Sequence, residues 1–374
     1  MKLKKAIPVI LCCALGITCF GCVNDDISRK DRGTKDIRDI SAKQLVSEMK
    51  IGWSLGNTLD ARDSKGLGAE TSWGNPKTTD NMIKLLKDTG FNVLRVPVTW
   101  DGHMDDDYNV DSDWMARVKE VVDYGINNGL FVILNTHHEE WYYPDAKNKD
   151  QDIKQIKALW SQIADVFKGY DEHLIFEGLN EPRLRNSSFE WNGGTPEAQE
   201  IVNEYETAFY ETVRNSGGNN DKRHLMITGY AASSMTSALE AIKLPENDDK
   251  IIVSVHAYLP YSFALDTNGT DKFNENTDTV SIDSLFGSLD KLFLQKGVPV
   301  IIGEFGSVNK FNEQDRIACA KYYLSTAKRY GVPCIWWDNG VFVGNGENFG
   351  LMRRDAPAAW DSPQFVTEMI NTVK

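Results

Sequence analysis

Residues 115–139 read Met-Ala-Arg-Val-Lys-Glu-Val-Val-Asp-Tyr-Gly-Ile-Asn-Asn-Gly-Leu-Phe-Val-Ile-Leu-Asn-Thr-His-His-Glu. Met115, Val118, Val122 and Ile126 recur at helical spacing, and Gly129 supplies a stop. Leu130–Asn135 is then apolar without alternation, the pattern of a strand buried on both faces. The unit ends abruptly in the polar run Asn135-Thr136-His137-His138-Glu139. Helix, buried strand and polar tip form one module of an α/β fold.

The module recurs along the chain. Further apolar runs are Ile51–Gly56, Phe91–Val98, His173–Leu179, His224–Thr228, Ile251–His256, Val298–Gly303 and Val332–Trp337, eight in all. Helical stripes fill most gaps, among them Ile153, Ile156, Leu159, Trp160 and Ile163, and Ile317, Ala320, Leu324 and Ala327 before Gly331. Thr195-Pro196 reads as a cap followed by proline in the first turn of another helix. Eight strand–helix repeats predict a single (β/α)8 TIM barrel. An open doubly wound sheet would need a glycine-rich phosphate turn after its first strand, and Gly56-Asn57-Thr58 is not one. The longest loop-like insertion is Leu259–Leu289, read as a wall of the leaving-group side.

The start of the chain stands apart. Lys2, Lys4 and Lys5 precede the apolar stretch Ala6–Phe20, which is shorter than a comfortable bilayer span and fits an export signal. Cys19-Phe20-Gly21-Cys22 resembles a bacterial lipoprotein signal, although Cys19 stands where an aliphatic residue is usual. Residues 1–22 are therefore expected to be a signal peptide, residues 23–40 a charged linker, and residues 41–374 one catalytic domain. The product is expected to be exported, secreted or anchored to a membrane through a lipidated Cys22, and to act as a monomer. Cys319 and Cys334 lie in a helical and a buried-strand pattern, so free core thiols are expected rather than a disulfide. Without Lys2, Lys4 and Lys5 the chain keeps 38 basic against 54 acidic residues, a net charge of −16. Such a surface argues against nucleic acid and suits a neutral polymer.

In a β/α barrel, chemistry gathers at the C-terminal ends of the strands. Here those ends carry Arg95, His137-His138-Glu139, Asn180-Glu181-Pro182, His256-Ala257-Tyr258, Gly303-Glu304-Phe305-Gly306 and Trp336-Trp337-Asp338-Asn339. Glu181 and Glu304 end strands four and seven and face one another across the mouth. Hydrolysis of a glycoside needs two such carboxyls, one to protonate the departing oxygen and one to attack the anomeric carbon. His137-His138 could be half of a metal site, but no second helical histidine or Asp/Cys set completes one in the sequence, so no metal or cofactor is expected. Trp73, Trp100, Trp141 and Trp191 fall in rim loops, where aromatic rings either stack on sugars or anchor the loop.

The chain resembles glycoside hydrolase family 5, most closely its subfamily 4. Gly52–Ala61, Glu70–Pro76, Arg95–Trp100, His137–Glu139, Phe176–Arg183, Val253–Tyr258, Ile302–Gly306 and Trp336–Asn339 carry the resemblance, in order, over essentially everything after residue 45. It implies a retaining, endo-acting enzyme on β-1,4-linked glucans: cellulose-type chains, mixed-linkage β-glucan or xyloglucan. The same machinery on β-mannan or xylan, and a non-catalytic polysaccharide-binding barrel, are the alternatives. Glu304 matches the nucleophile and Glu181 the acid/base, whose pKa the charge of Glu304 should raise. Arg95 and Tyr258 would bond to Glu304, and Asn180 would hold the sugar 2-hydroxyl. His137, His138 and His256 resemble histidines that bind hydroxyls or position the acid/base. Trp337 matches the platform under the sugar at the cut, and Asn57 a contact to the next sugar out.

Overall fold

The computed structural model describes residues 36–374; the signal peptide, Cys22 and most of the linker lie outside them. Eight parallel strands close into a barrel: β1 (Ile51–Leu55), β2 (Val93–Val96), β3 (Phe131–Asn135), β4 (Leu174–Glu177), β5 (Leu225–Ser233), β6 (Ile251–His256), β7 (Val300–Phe305) and β8 (Cys334–Asp338). The ring shuts where β1 pairs with β8 from Ile51 opposite Cys334 to Leu55 opposite Asp338. The (β/α)8 expectation holds. Helices α1 (Ala42–Glu48), α2 (Asp80–Thr89), α3 (Ser112–Asn127), α4 (Lys149–Phe167), α5 (Pro196–Arg214), α6 (Thr236–Glu240), α7 (Tyr261–Ala264), α8 (Thr279–Leu292), α9 (Glu313–Tyr330) and α10 (Pro363–Val373) complete the chain. Gly90 and Gly331 close α2 and α9 in the left-handed conformation that glycine adopts without a Cβ clash.

The barrel interior changes character with height. Val93, Ile133, Ile175, Met226, Ile252, Ile301 and Ile335 form an apolar floor, sealed from below by Leu45 and Val46 of α1 and by Met49 just after it. One step up each strand, two residues on and so on the same face, stand Arg95, Asn135, Glu177 and Ser254, joined to one another by hydrogen bonds. The outward set, such as Leu94, Val96, Val132, Leu134 and Phe176, packs into the large cluster shared with the helices. Continuous apolar runs in sequence therefore hide an inner face that turns polar towards the mouth.

Two expectations change. Residues 36–40, assigned to the linker, lie against the barrel: Arg38 pairs with Glu48 and Glu172, Asp39 with Lys222 and Lys250, and Ile40 packs on the floor cluster. The stretch Leu259–Leu289 is not one long loop, because α7 and most of α8 lie within it. Ile282, Leu285, Phe286 and Leu289 give α8 its buried face. Of the two readings left open for the rim-loop tryptophans, Trp100 takes loop anchoring: it is fully buried and donates its Nε1–H to the Asn135 carbonyl at 3.1 Å. Cys319 and Cys334 are buried free thiols, as expected.

Candidate active site

Fully buried Arg95 organises the mouth of the barrel. Its Nη1 donates to Glu304 Oε1 at 2.7 Å, its Nε to Glu177 Oε2 at 2.8 Å and its Nη2 to Asn180 Oδ1 at 2.7 Å. Burial works against this guanidinium, but the charges of Glu177 and Glu304 outweigh it and raise its pKa. The second oxygen of Glu304 accepts the hydroxyl of Tyr258 at 2.7 Å. Burial and the nearby Glu304 charge push the Tyr258 phenol upward, so it stays a proton donor.

Opposite Glu304, Oε1 of Glu181 and Nδ1 of His256 share a hydrogen bond of 2.8 Å. One oxygen from each glutamate and a ring nitrogen of His256 all lie within 4.8 Å of one another. Retaining glycosidases hold their carboxyls roughly 5–5.5 Å apart, whereas inverting ones leave roughly 6.5–9.5 Å for a water. The pair falls in the close class.

The remaining predicted residues ring this pair. His137 Nε2 is 4.0 Å from Glu304 Oε1, and its ring lies parallel to Trp337 with centroids 5.4 Å apart. Burial, with the charges of His138 and Arg95, depresses the His137 pKa, leaving a neutral imidazole. Half-buried His138 reaches Asp60 at 3.7 Å and packs against Trp73. Asn57 takes a left-handed φ of 56° in the turn after β1, a conformation asparagine tolerates. Asp60 joins His137 and His138 as a third donor within 4.8 Å, one that the sequence could not place. Its oxygens already accept the backbone N–H of Asn57 and Thr58, and His137 Nδ1 meets the Asn135 amide. What remains of the trio suits sugar hydroxyls.

Residues 59–342 match the family model Cellulase (glycosyl hydrolase family 5). Endoglucanase 1 of Ruminococcus albus is 61% identical over 329 residues, 87% of this chain and 80% of that one. The GH5-4 broad specificity endoglucanase from Ruminococcus champanellensis, solved with cellotriose, superposes with a TM-score of 0.87 at 44% identity, covering 90% of this chain and 100% of that one. A GH5 xyloglucan-specific endo-β-1,4-glucanase from a metagenomic library, also with cellotriose, gives 0.85 at 40% identity over 88% and 98% of the two chains.

The chain belongs to glycoside hydrolase family 5.

Within this family 5 site, the Glu181 pKa is shifted down rather than up. Burial does push it up, but the hydrogen bond and charge of His256, with the charges of Arg183 and His138, outweigh burial and bring it below the ordinary carboxyl value. The charge of Glu304 also acts on His256. There burial lowers the pKa, and the Glu304 charge and the Glu181 bond raise it above the usual imidazole value. Glu181 Oε1 and His256 Nδ1 are placed to share a proton.

Glu177 is a functional residue that the sequence did not single out. It is fully buried and holds Arg95 from behind, with further bonds from Asn135 Nδ2 at 3.0 Å and Ser254 Oγ at 2.6 Å. The signal was its position four residues before Glu181, on the inward face of β4. Glu139, just past β3, anchors the loops around it. It accepts the backbone N–H of Trp100 and Asp101 and the indole N–H of Trp141, although burial pushes its carboxyl up to about 8. At the end of β5, Ala231 and Ala232 form a bulge with φ of 54° and 46°, and Ala231 N–H donates to the Pro182 carbonyl at 2.9 Å. Non-glycine residues in this conformation cost free energy and are held by their surroundings. Here the bulge ties β5 to the loop that carries Glu181.

Proposed function

We propose that this chain is an endo-acting, retaining hydrolase of β-1,4-glucosidic bonds that works by double displacement. A carboxylate of Glu304 attacks the anomeric carbon while the bond to the departing oxygen breaks. The proton held by the Glu181–His256 pair passes through Glu181 to that oxygen. In the second step Glu181 takes a proton from water, the water oxygen bonds to the anomeric carbon, and the glycosyl ester to Glu304 breaks with its electron pair returning to the carboxylate. The close approach of Glu181 and Glu304 carries this reading.

The surrounding residues support the roles. Arg95 and Tyr258 fix both oxygens of Glu304, so little reorganisation is needed at the moment of attack. Asn180, held by Arg95 Nη2, would present its amide N–H to the sugar 2-hydroxyl. Trp337 would stack under the sugar at the cut, and Asn57, His137 and His138 would hold hydroxyls on the non-reducing side. Related structures carry cellotriose, which supports a glucan backbone as substrate, with mixed-linkage glucan and xyloglucan in range. We further propose export with lipid attachment at Cys22, tested by labelled-palmitate incorporation that Cys22→Ala abolishes, and a monomeric enzyme, tested by light scattering.

The direct test uses Glu304→Gln and Glu181→Gln on carboxymethylcellulose, barley β-glucan, xyloglucan, glucomannan and xylan. Each should lose nearly all activity, and azide should rescue Glu181→Gly on an activated aryl glycoside. Ordinary activity in either glutamine variant overturns the assignment. Preferential cleavage of xylan or mannan overturns the glucan reading.

A further inference from the structure

Strands β4 and β5 separate just where β4 delivers Glu181. Their ladder is regular as far as Glu177 opposite Met226, with Phe176 N–H on the His224 carbonyl and Gly178 N–H on the Met226 carbonyl at 3.1 Å. The next rung of a parallel ladder would join Thr228 N–H to the Gly178 carbonyl. Among the described residues that rung does not form. The Gly178 carbonyl instead accepts the hydroxyl of Thr136 at 2.8 Å and the indole N–H of Trp160 at 3.2 Å. Thr228 N–H turns to the surrounding helix and donates to Oε1 of Glu206 on α5 at 3.0 Å. The two chain segments meet again where Ala231 N–H reaches the Pro182 carbonyl at 2.9 Å. Residues 178–181 and 227–230 thus border an opening, and Asn180 and Glu181 stand on its edge.

Glu206 fills that opening. It is almost wholly buried, and its Oε2 faces Gly178 with no hydrogen-bond partner among the described residues. Glycine at 178 admits it, because a side chain there would collide with that oxygen and with the Phe209 ring. Burial pushes the Glu206 carboxyl well above the ordinary range, so it enters the ladder as a neutral acid. A buried oxygen left without a donor costs more than the plain rung it displaces. What the opening permits is the course of the acid/base. β5 lies between β4 and β6, so the Glu181 side chain must cross the end of β5 to bond His256 at 2.8 Å. A closed ladder would draw residues 178–181 into line with β5. Asn180 is held separately, by Arg95. We infer that Glu206 is a positioning residue for the acid/base: by taking Thr228 N–H in place of the Gly178 carbonyl, it keeps β4 and β5 apart and lets Glu181 reach His256. The inference rests on Glu181 being the acid/base.

The test compares kcat/KM on cellotetraose, whose departing oxygen needs a proton, with that on 2,4-dinitrophenyl β-cellobioside, whose phenolate leaves without one. Glu206→Leu fills the space but offers Thr228 no acceptor. It should lose roughly tenfold more on cellotetraose than on the aryl glycoside, a part of the roughly 100- to 10,000-fold that a placed general acid contributes. Glu206→Gln keeps an acceptor oxygen and should recover most of the ratio. Val213→Ala, buried further along the same helix, should lower the urea midpoint while keeping the ratio, which separates positioning from lost packing. If Glu206→Leu does not fold, Glu206→Asp, which withdraws the carboxyl by one carbon, should show the same change. An unaltered ratio in the Leu or Asp variant overturns the inference, as does a Gln variant as impaired as Leu or an equal change in Val213→Ala. If Glu181→Gln shifts the ratio and Glu206→Leu does not, only the positioning role fails. If Glu181→Gln leaves the ratio unaltered, the acid/base assignment fails with it.

Discussion

Replacing Arg95 by Met would leave Glu177 and Glu304 as two buried carboxylates without their shared cation. Arg95 lies 2.8 Å from one and 2.7 Å from the other, and all three side chains are almost wholly buried. At an effective dielectric of about 20, each charge pair some 4 Å apart between charge centres is worth about 4 kcal/mol. Removing one partner from a buried ion pair usually costs about 3–5 kcal/mol. Arg95→Met should therefore lose at least that much. Glu177→Gln alone should cost less, because Arg95 and Glu304 remain as a balanced pair and the amide oxygen can still accept from Arg95 Nε. The decisive variant is the double. Adding Glu177→Gln to Arg95→Met removes one uncompensated carboxylate, so the double should be more stable than Arg95→Met by roughly 2 kcal/mol or more. Urea unfolding at pH 7, followed by tryptophan fluorescence, reads this as a midpoint that rises on adding the second substitution. A double variant that unfolds at the same or lower urea concentration than Arg95→Met would refute the claim that Glu177 serves to balance Arg95.

Tyr258→Phe removes one hydrogen bond to a charged carboxylate, worth about 1.5–3 kcal/mol, and should lower kcat/KM on β-glucan roughly 10- to 100-fold; an unchanged rate would mean that the phenol does not hold Glu304 during attack. Burial drives the pKa of His103 and His224 down to about 4, against roughly 6.5 in the unfolded chain. Between those values the unfolded state binds more protons than the native one, so stability falls as pH drops from 6.5 to 4, by up to roughly 3 kcal/mol for each residue. His103 stacks on Trp114 with centroids 3.8 Å apart, and neither of its ring nitrogens has a hydrogen-bond partner among the described residues. His103→Phe should therefore shrink the drop in urea midpoint between pH 7 and pH 5, and an undiminished drop would contradict the assignment.

The barrel was legible because its strands are buried on both faces and read as unbroken apolar runs, while helices such as α3 and α9 show periodic faces and glycine stops. The two glutamates were legible because the fold puts strand ends on one rim. Other features were not. β5 extends to Ser233, beyond the run His224–Thr228, because the bulge at Ala231 and Ala232 breaks the pattern while the strand continues. The α8 stripe sits inside a polar, asparagine-rich stretch that reads as loop. Glu177 belongs to an apolar run, and only the alternation of faces inside a closed barrel turns it towards Arg95. The hydrogen-bond partner of Glu181, His256 from β6, lies 75 residues away in sequence and faces it at 2.8 Å. Through-space partners of this kind leave no local trace in the chain.

The close pairing of Glu181 and Glu304 is tested most directly by the anomeric configuration of the first product. Proton NMR of cellotetraose hydrolysis within the first minutes, before mutarotation, should show the new reducing end as the β anomer. An initial α anomer would mean a single displacement by water and would contradict the two-step mechanism.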